Sequence, residues 1–403
     1  MRKADRLRRL FGGEERSLES LLRFEGDELR NGGRSERFGE FSATLYRKKE
    51  DAQDVRRLLI GWPRGEVDLL PTKGLSIGSY THENWSPFWE PVQPGLISPE
   101  AENLMGRVLI NGEPHEAMRW IENFAGCVEL LGFSNWGMPL HHSDNGEVLP
   151  LHGEASHIPV ENVDIARDER YIAVSGGFEL RLGWWRDPDE SKPWYRRGEH
   201  GWRVTRTVLI DTQGPTLQFV DEIRNDAKES MVPDWGYHYQ FRAEPGTKMV
   251  IPSKEVMGRF SENLEEDFQL WKPAAEAGTR EERGYIHRGT VVEESPLGRL
   301  EGGRGGNYPS GPGTCFTMPA AGYPLSWFSC GGKGSLEFAL PERPSESLIP
   351  VAWNGVGPEI GVSALDHDGN TDPAIEHPPV APGRSIELYS KIAACENPEL
   401  PTP

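Results

Sequence analysis

The sequence predicts an all-β protein built as one large antiparallel β-sandwich. Three observations carry the prediction. Glycine and proline number 46 and 33, about a fifth of the chain, which is too many helix breakers for a helical bundle. Apolar residues recur at every second position in most segments beyond residue 40, the period of a half-buried strand. Turn residues separate these segments at intervals of about 10–15 residues, with few helical stretches between them.

The elements follow in order. Leu7, Leu10 and Phe11, then Leu18, Leu21 and Leu22, recur at three- and four-residue spacing, and Gly12-Gly13 divides them. This spacing predicts two short helices, hence a helical N-terminal extension over residues 1–39 that covers a sheet or mediates a homodimer. Residues 40–395 form the sandwich domain. Its strands begin with Phe41-Ser-Ala-Thr-Leu-Tyr46 and Arg57-Leu-Leu-Ile-Gly-Trp62. They continue through segments starting at Tyr171, Phe178 and Trp202. Alternation is cleanest at Thr216–Ile223 and Ser385–Ile392. Asp211-Thr-Gln-Gly214, Arg224-Asn-Asp-Ala227 and Asp366–Asn370 supply turns. Residues 297–313 read as a linker or loop, and Glu396–Pro403 as a frayed tail.

Composition narrows the function. The chain has 403 residues and a mass of 45.2 kDa. Its net charge is −19, from 44 basic and 63 acidic residues. Such a chain repels phosphate backbones and anionic lipid, which argues against nucleic-acid and membrane partners. Aromatic residues at 9% argue against disorder. The basic start lacks the apolar run of a signal peptide, and no apolar stretch reaches spanning length. Cys127, Cys315, Cys330 and Cys395 show no CxxC spacing, so thiols in a reducing cytoplasm are expected rather than a zinc ribbon or a disulfide framework.

The histidines and one carboxylate carry the candidate chemistry. His152 sits in Leu149-Pro-Leu-His-Gly-Glu154, where the glycine permits close backbone approach. His238 sits in Trp235-Gly-Tyr-His-Tyr-Gln-Phe241. Alternation puts Trp235, Tyr237, Tyr239 and Phe241 on one face, and His238 with Gln240 on the other. Hydroxyl partners beside stacking surfaces suit a sugar, and Trp235 and Trp89 supply aromatic surface. Glu359 lies among Gly, Pro and apolar residues, where partial desolvation would suit a general base. Asp221 ends an alternating strand, as a turn cap or a sugar ligand, and Arg206 would line the pocket. His152 and His157, with Glu359, would in principle make a divalent metal site; His141-His142 is adjacent and does not match a zincin helix. No Walker A or strand-linked GxGxxG occurs.

Several segments together resemble the aldose 1-epimerase-like, or galactose mutarotase-like, superfamily, over residues 55 to 392. The closer resemblance is to its branch of bacterial proteins with a domain of unknown function, number 4432. Leu69-Leu-Pro-Thr-Lys-Gly-Leu-Ser-Ile-Gly78, Ser86-Pro-Phe-Trp89, Trp120–Gly137, Leu151-His-Gly-Glu-Ala-Ser156, Asp221-Glu-Ile-Arg-Asn225 and Tyr237-His-Tyr-Gln-Phe241 carry it. The resemblance implies a mutarotase-like sandwich and a cofactor-free sugar epimerase or isomerase. It maps His238 to the general acid, Glu359 to the base and His152 to a residue that binds and polarises the sugar. Alternatives on the same scaffold are a lyase, a hydrolase, a metal-assisted isomerase or a non-catalytic sugar-binding protein. Three departures stand out: Glu154 where a basic residue follows His-Gly, Lys73 and Ser76 in the early motif, and Ala125 in a glycine pair. The acidic shell favours neutral sugars.

Overall fold

A computed structural model of the chain describes residues 17–89, 95–98, 104–106, 108–110, 113–135, 137–142, 147–181, 184–185, 195–196, 200–231, 235–243, 247–251, 255–258, 264, 266–270, 282–288, 298–301, 313–317, 325–331, 335–339, 349–352, 355–362 and 379–395. Two large sheets dominate. One runs in the order Glu19–Glu25, Asn162–Arg167, Tyr171–Arg181, His200–Asp211, Thr216–Asn225, Ser385–Cys395, Gly313–Thr317, Gly298–Glu301, Lys248–Val250. The other runs Arg34–Phe38, Phe41–Tyr46, Arg57–Trp62, Gly65–Leu70, Ser76–His82, Val128–Gly132, Trp235–Tyr239, Gly355–Val362, Leu325–Gly331, Glu282–Arg288, Glu255–Gly258. The paired strands are antiparallel throughout, so the expected sandwich is observed.

Period-two alternation builds the core. Val204, Val208 and Ile210 face inward from one sheet with Leu217, Phe219 and Ile223 of the next strand. Leu58, Ile60, Val67, Leu69 and Leu130 answer from the other sheet in the same apolar cluster. Removing this surface from water is the main stabilising force, at about 25 cal/mol per Å². The expected turn at 211–214 is a hairpin: the Asp211 carboxylate accepts the Gln213 and Gly214 N–H groups at 3.0 and 3.2 Å. From that turn the register runs without a slip to Trp202↔Asn225.

The inner faces also carry polar ties. Arg206 and Asp221 are direct register partners and are fully buried. Arg206 Nε lies 3.1 Å from Asp221 Oδ1, and Tyr237 of the opposite sheet donates its hydroxyl to Asp221 Oδ2 at 2.5 Å. The guanidinium lies over the rings of Phe219 and Tyr237. Tyr239 reaches across in the same way to the Ser390 hydroxyl.

The N-terminal expectation is corrected where the structure describes it. Glu19–Glu25 is an edge strand paired with Asn162–Arg167, followed by a single short helix, Gly26–Asn31, and the strand Arg34–Phe38. Leu18, Leu21 and Leu22 fit a helical spacing, but Leu22 and Phe24 also fit period two, and these two are the buried pair. Unpaired N–H and C=O groups on the Asn162–Arg167 edge decide for the strand. The helix expected around Leu7–Phe11, most of the loop at 297–313 and the tail at 396–403 lie outside the described residues. Among the described residues no helix is long and apolar enough to cross a membrane.

Candidate functional site

The strand Trp235–Tyr239 has two working faces. Trp235 and Tyr237 point into the inter-sheet core, against Phe133 and Phe219. His238 leaves from the other face. There a second apolar cluster gathers Trp89, Leu104, Met105, Met118, Trp120, Phe124 and Leu151. The His238 ring centroid is 5.0 Å from Phe124 and 5.6 Å from Trp120. His152 lies 4.5 Å from Trp120 and 5.6 Å from His238, nearly perpendicular to it. Trp89 closes the wall against Phe124. The site is enclosed: His152 is 8% exposed and His238 3%.

Glycines make the geometry possible at two points. A Cβ on Gly357 would stand 2.8 Å from Gln240 Oε1 and 3.0 Å from His238 Cε1, so the glycine gives both side chains their space. Gly153 has a φ of +70°, and a Cβ there would meet the Gly132 carbonyl at 2.5 Å. His152 itself sits in the left-handed region, at φ 55°, a conformation a non-glycine residue keeps only when its surroundings enforce it. They do: its N–H donates to the Gly137 carbonyl and its carbonyl accepts from the Gly132 N–H, both at 3.0 Å.

Asn135 holds that loop together. Its buried amide nitrogen donates to the carbonyls of Met138, Pro150 and Gly137 at 2.7, 2.9 and 3.2 Å. Truncation to alanine removes three bonds and leaves buried carbonyls short of a donor. A loss of about 2–3 kcal/mol is expected, together with a weaker grip on His152. Chemical denaturation of Asn135→Ala and of wild type checks this, and an unchanged midpoint would contradict it.

Electrostatics fix the resting state of His238. Its Nδ1 lies 3.1 Å from the Tyr239 carbonyl, which can only accept, so Nδ1 carries the proton and the neutral ring presents Nε2 as its acceptor. Burial lowers the ring's proton affinity, while the hydrogen bond to the Tyr239 carbonyl and, after it, the Glu129 charge oppose the fall, leaving it at about 4. His238 is therefore neutral at pH 7. An unfolded histidine titrates near 6.5. The folded state thus binds fewer protons between these values, so this contribution to stability is complete above pH ~6.5 and is lost as pH falls towards 4. Going from pH 7 to 4.5 is expected to cost wild type about 2–3 kcal/mol more than His238→Gln. Urea midpoints of both proteins at the two pH values measure that difference.

The predicted residues divide between the two faces. His152, His238, Gln240 and Trp89 lie on the outer face of the strand and its surroundings. Glu359 is the register partner of His238 on the next strand. Asp221, Arg206 and Trp235 lie instead on the inner face, where Arg206 and Asp221 form an ion pair and Trp235 packs against Phe133 and Phe178. Sugar contacts from these three would require opening the core. Among the described residues no three His, Cys, Asp or Glu side chains gather around an ion position. His157 turns its Nδ1 to the Ser156 hydroxyl at 3.0 Å. Trp120, Phe124, Asn135 and Gly357 were not singled out from sequence, although the first three fall in the Trp120–Gly137 segment that carried the family resemblance.

The fold and this pair of histidines define a class, a mutarotase-type β-sandwich with an aromatic-walled imidazole site. The chain belongs to the DUF4432 family, a domain of unknown function whose pattern matches residues 64–296. A candidate aldose 1-epimerase from Klebsiella pneumoniae has the same fold, with a TM-score of 0.63 at 14% identity, covering 96% of this chain and 90% of that one. A galactose mutarotase-like protein from Clostridium acetobutylicum is 12% identical over 86% of this chain and 98% of its own, with a TM-score of 0.47. Among curated proteins none matches the chain.

Proposed function

We propose that the protein is a carbohydrate epimerase or isomerase that acts on a free, neutral sugar by acid–base chemistry at or near the anomeric carbon. The observation that supports it best is the pairing of His152 and His238, with ring centroids 5.6 Å apart among buried aromatic side chains, and with Glu359 in register beside His238. Trp89, Trp120 and Phe124 offer faces for sugar C–H groups, and Gln240 offers an amide for a hydroxyl.

Ring opening moves two protons. A base takes the anomeric hydroxyl proton as C1=O forms and the C1–O5 bond breaks, and an acid protonates O5. After rotation about C1, closure runs the same transfers backwards, so each group serves once as acid and once as base. A neutral His238 enters this cycle most readily as the acceptor, which reverses the starting role implied by family resemblance. Glu359 then starts as the protonated carboxylic acid and donates to O5, recovering that proton on ring closure, and His152 polarises the sugar oxygen. The scheme uses no metal or organic cofactor.

Polarimetry and saturation-exchange NMR on a panel of aldoses and ketoses test the reading. Acceleration of anomer interconversion for at least one neutral sugar is the expected result. A protein that binds sugars on the panel and accelerates none of them would overturn it.

A further inference from the structure

Behind His238 lies an ion pair that the proposed chemistry does not use. Lys73 and Glu129 are both completely buried. The Lys73 ammonium donates to both Glu129 carboxylate oxygens at 3.2 Å and to the Asn123 carbonyl at 2.6 Å. Burial lowers the proton affinity of Lys73, and Glu129 opposes that fall. The pair is not needed to tie the two sheets, because Glu129 shares the outer face of the Val128–Gly132 strand with Leu131, not the core face of Leu130. Burying two charges is costly, and an apolar pair is often as stable, so stability alone does not account for it.

Its position gives it a task. Glu129 is the register partner of His238 on one side, as Glu359 is on the other. The same Glu129 carboxylate accepts the Ala125 N–H at 2.7 Å, which fixes the chain next to Phe124, the ring packed edge-on against His238. Lys73 anchors the preceding residue, Asn123, through its carbonyl. One ion pair therefore sets both the wall beside the imidazole and the charge behind it.

We propose that the Lys73–Glu129 pair is a positioning device for His238: Glu129 holds the imidazole's wall and supplies the negative charge that stabilises its protonated form during turnover, while Lys73 sets how much of that charge the ring feels. The inference builds on the acid–base role given to His238. The titratable groups facing the ring are His152 from its loop, Glu129 from the adjacent strand and Lys73 behind it, with Glu359 as the register partner on the far side.

Histidine-selective isotope labelling and NMR of the ligand-free protein test this without a substrate. At pH 5 the protonated fraction of His238 is expected to rank Lys73→Met above wild type above Glu129→Gln, with steps of several-fold between them. Because Lys73→Met buries an unpaired carboxylate and can fail to fold, a Lys73→Met/Glu129→Gln double variant is measured as well. It buries no charge and is expected below wild type. Equal protonation in wild type, Glu129→Gln and the double variant, all folded, would overturn the proposal. Once a substrate is known, Glu129→Gln is expected to lower kcat and leave KM, with partial recovery in Glu129→Asp. A protein with the NMR ranking but no turnover on the sugar panel would refute the epimerase reading and leave the positioning role standing.

Discussion

Replacing His238 by glutamine is expected to lower kcat/KM for the protein's sugar by about 10²–10⁴-fold, the usual worth of a positioned acid–base group. Glutamine keeps volume and polarity but cannot cycle a proton. His238 contacts Phe124, Trp120 and His152 through ring faces and edges, so the pocket should keep its shape and KM should move little. Stability at pH 7 should change by less than the activity, because the imidazole is already neutral there. Rates of anomer interconversion for wild type and His238→Gln, measured beside their denaturation midpoints, separate the two effects. Equal rates across every accelerated sugar would remove His238 from the mechanism.

The second large effect concerns stability. Asp221→Asn is expected to destabilise the fold by about 3–5 kcal/mol, because it leaves the Arg206 guanidinium buried without its counter-charge. The Arg206→Met/Asp221→Leu double variant should cost much less than the two single changes together, since it buries no charge. The Tyr237 hydroxyl would still lose its acceptor, which keeps the double variant below wild type. A direct sugar ligand would behave in the opposite manner, raising KM while leaving the melting behaviour alone. Thermal unfolding of Asp221→Asn, of the double variant and of Arg206→Met and Asp221→Leu alone distinguishes these outcomes.

Much of the sandwich was legible because alternation is a local signal. The strands Phe41–Tyr46, Arg57–Trp62, His200–Asp211 and Thr216–Asn225 announce themselves through β-branched and aromatic residues at period two. Leu18–Leu22 was ambiguous because a few leucines satisfy both periods, and only the free edge of a strand some 140 residues away resolves them. The Arg206–Asp221 pair was more legible than its first reading allowed. A hairpin turn between Asp211 and Thr216 fixes the register of every residue behind it, and counting back five from each end brings Arg206 opposite Asp221. The meeting of His152 with His238 was not legible from spacing. It depends on where the chain around His152 is held, by the Asn135 amide on Pro150 and by backbone bonds from His152 to Gly132 and Gly137 that sequence does not display.

The strand Trp235–Tyr239 divides its duties by parity, and this has an evolutionary consequence. Odd-numbered positions answer to the core, with Trp235, Tyr237 and Tyr239 fully buried between the sheets. The even-numbered His238, followed by Gln240, answers to the pocket. Substitutions selected for a new substrate can therefore accumulate at alternate positions without loosening the packing behind them. In a mutational scan scored separately for abundance and for turnover, the two scores should trade places from one residue to the next along this strand. A single ribbon of backbone would thus let one lineage retune its chemistry while the architecture beneath it stays under a separate, stricter selection.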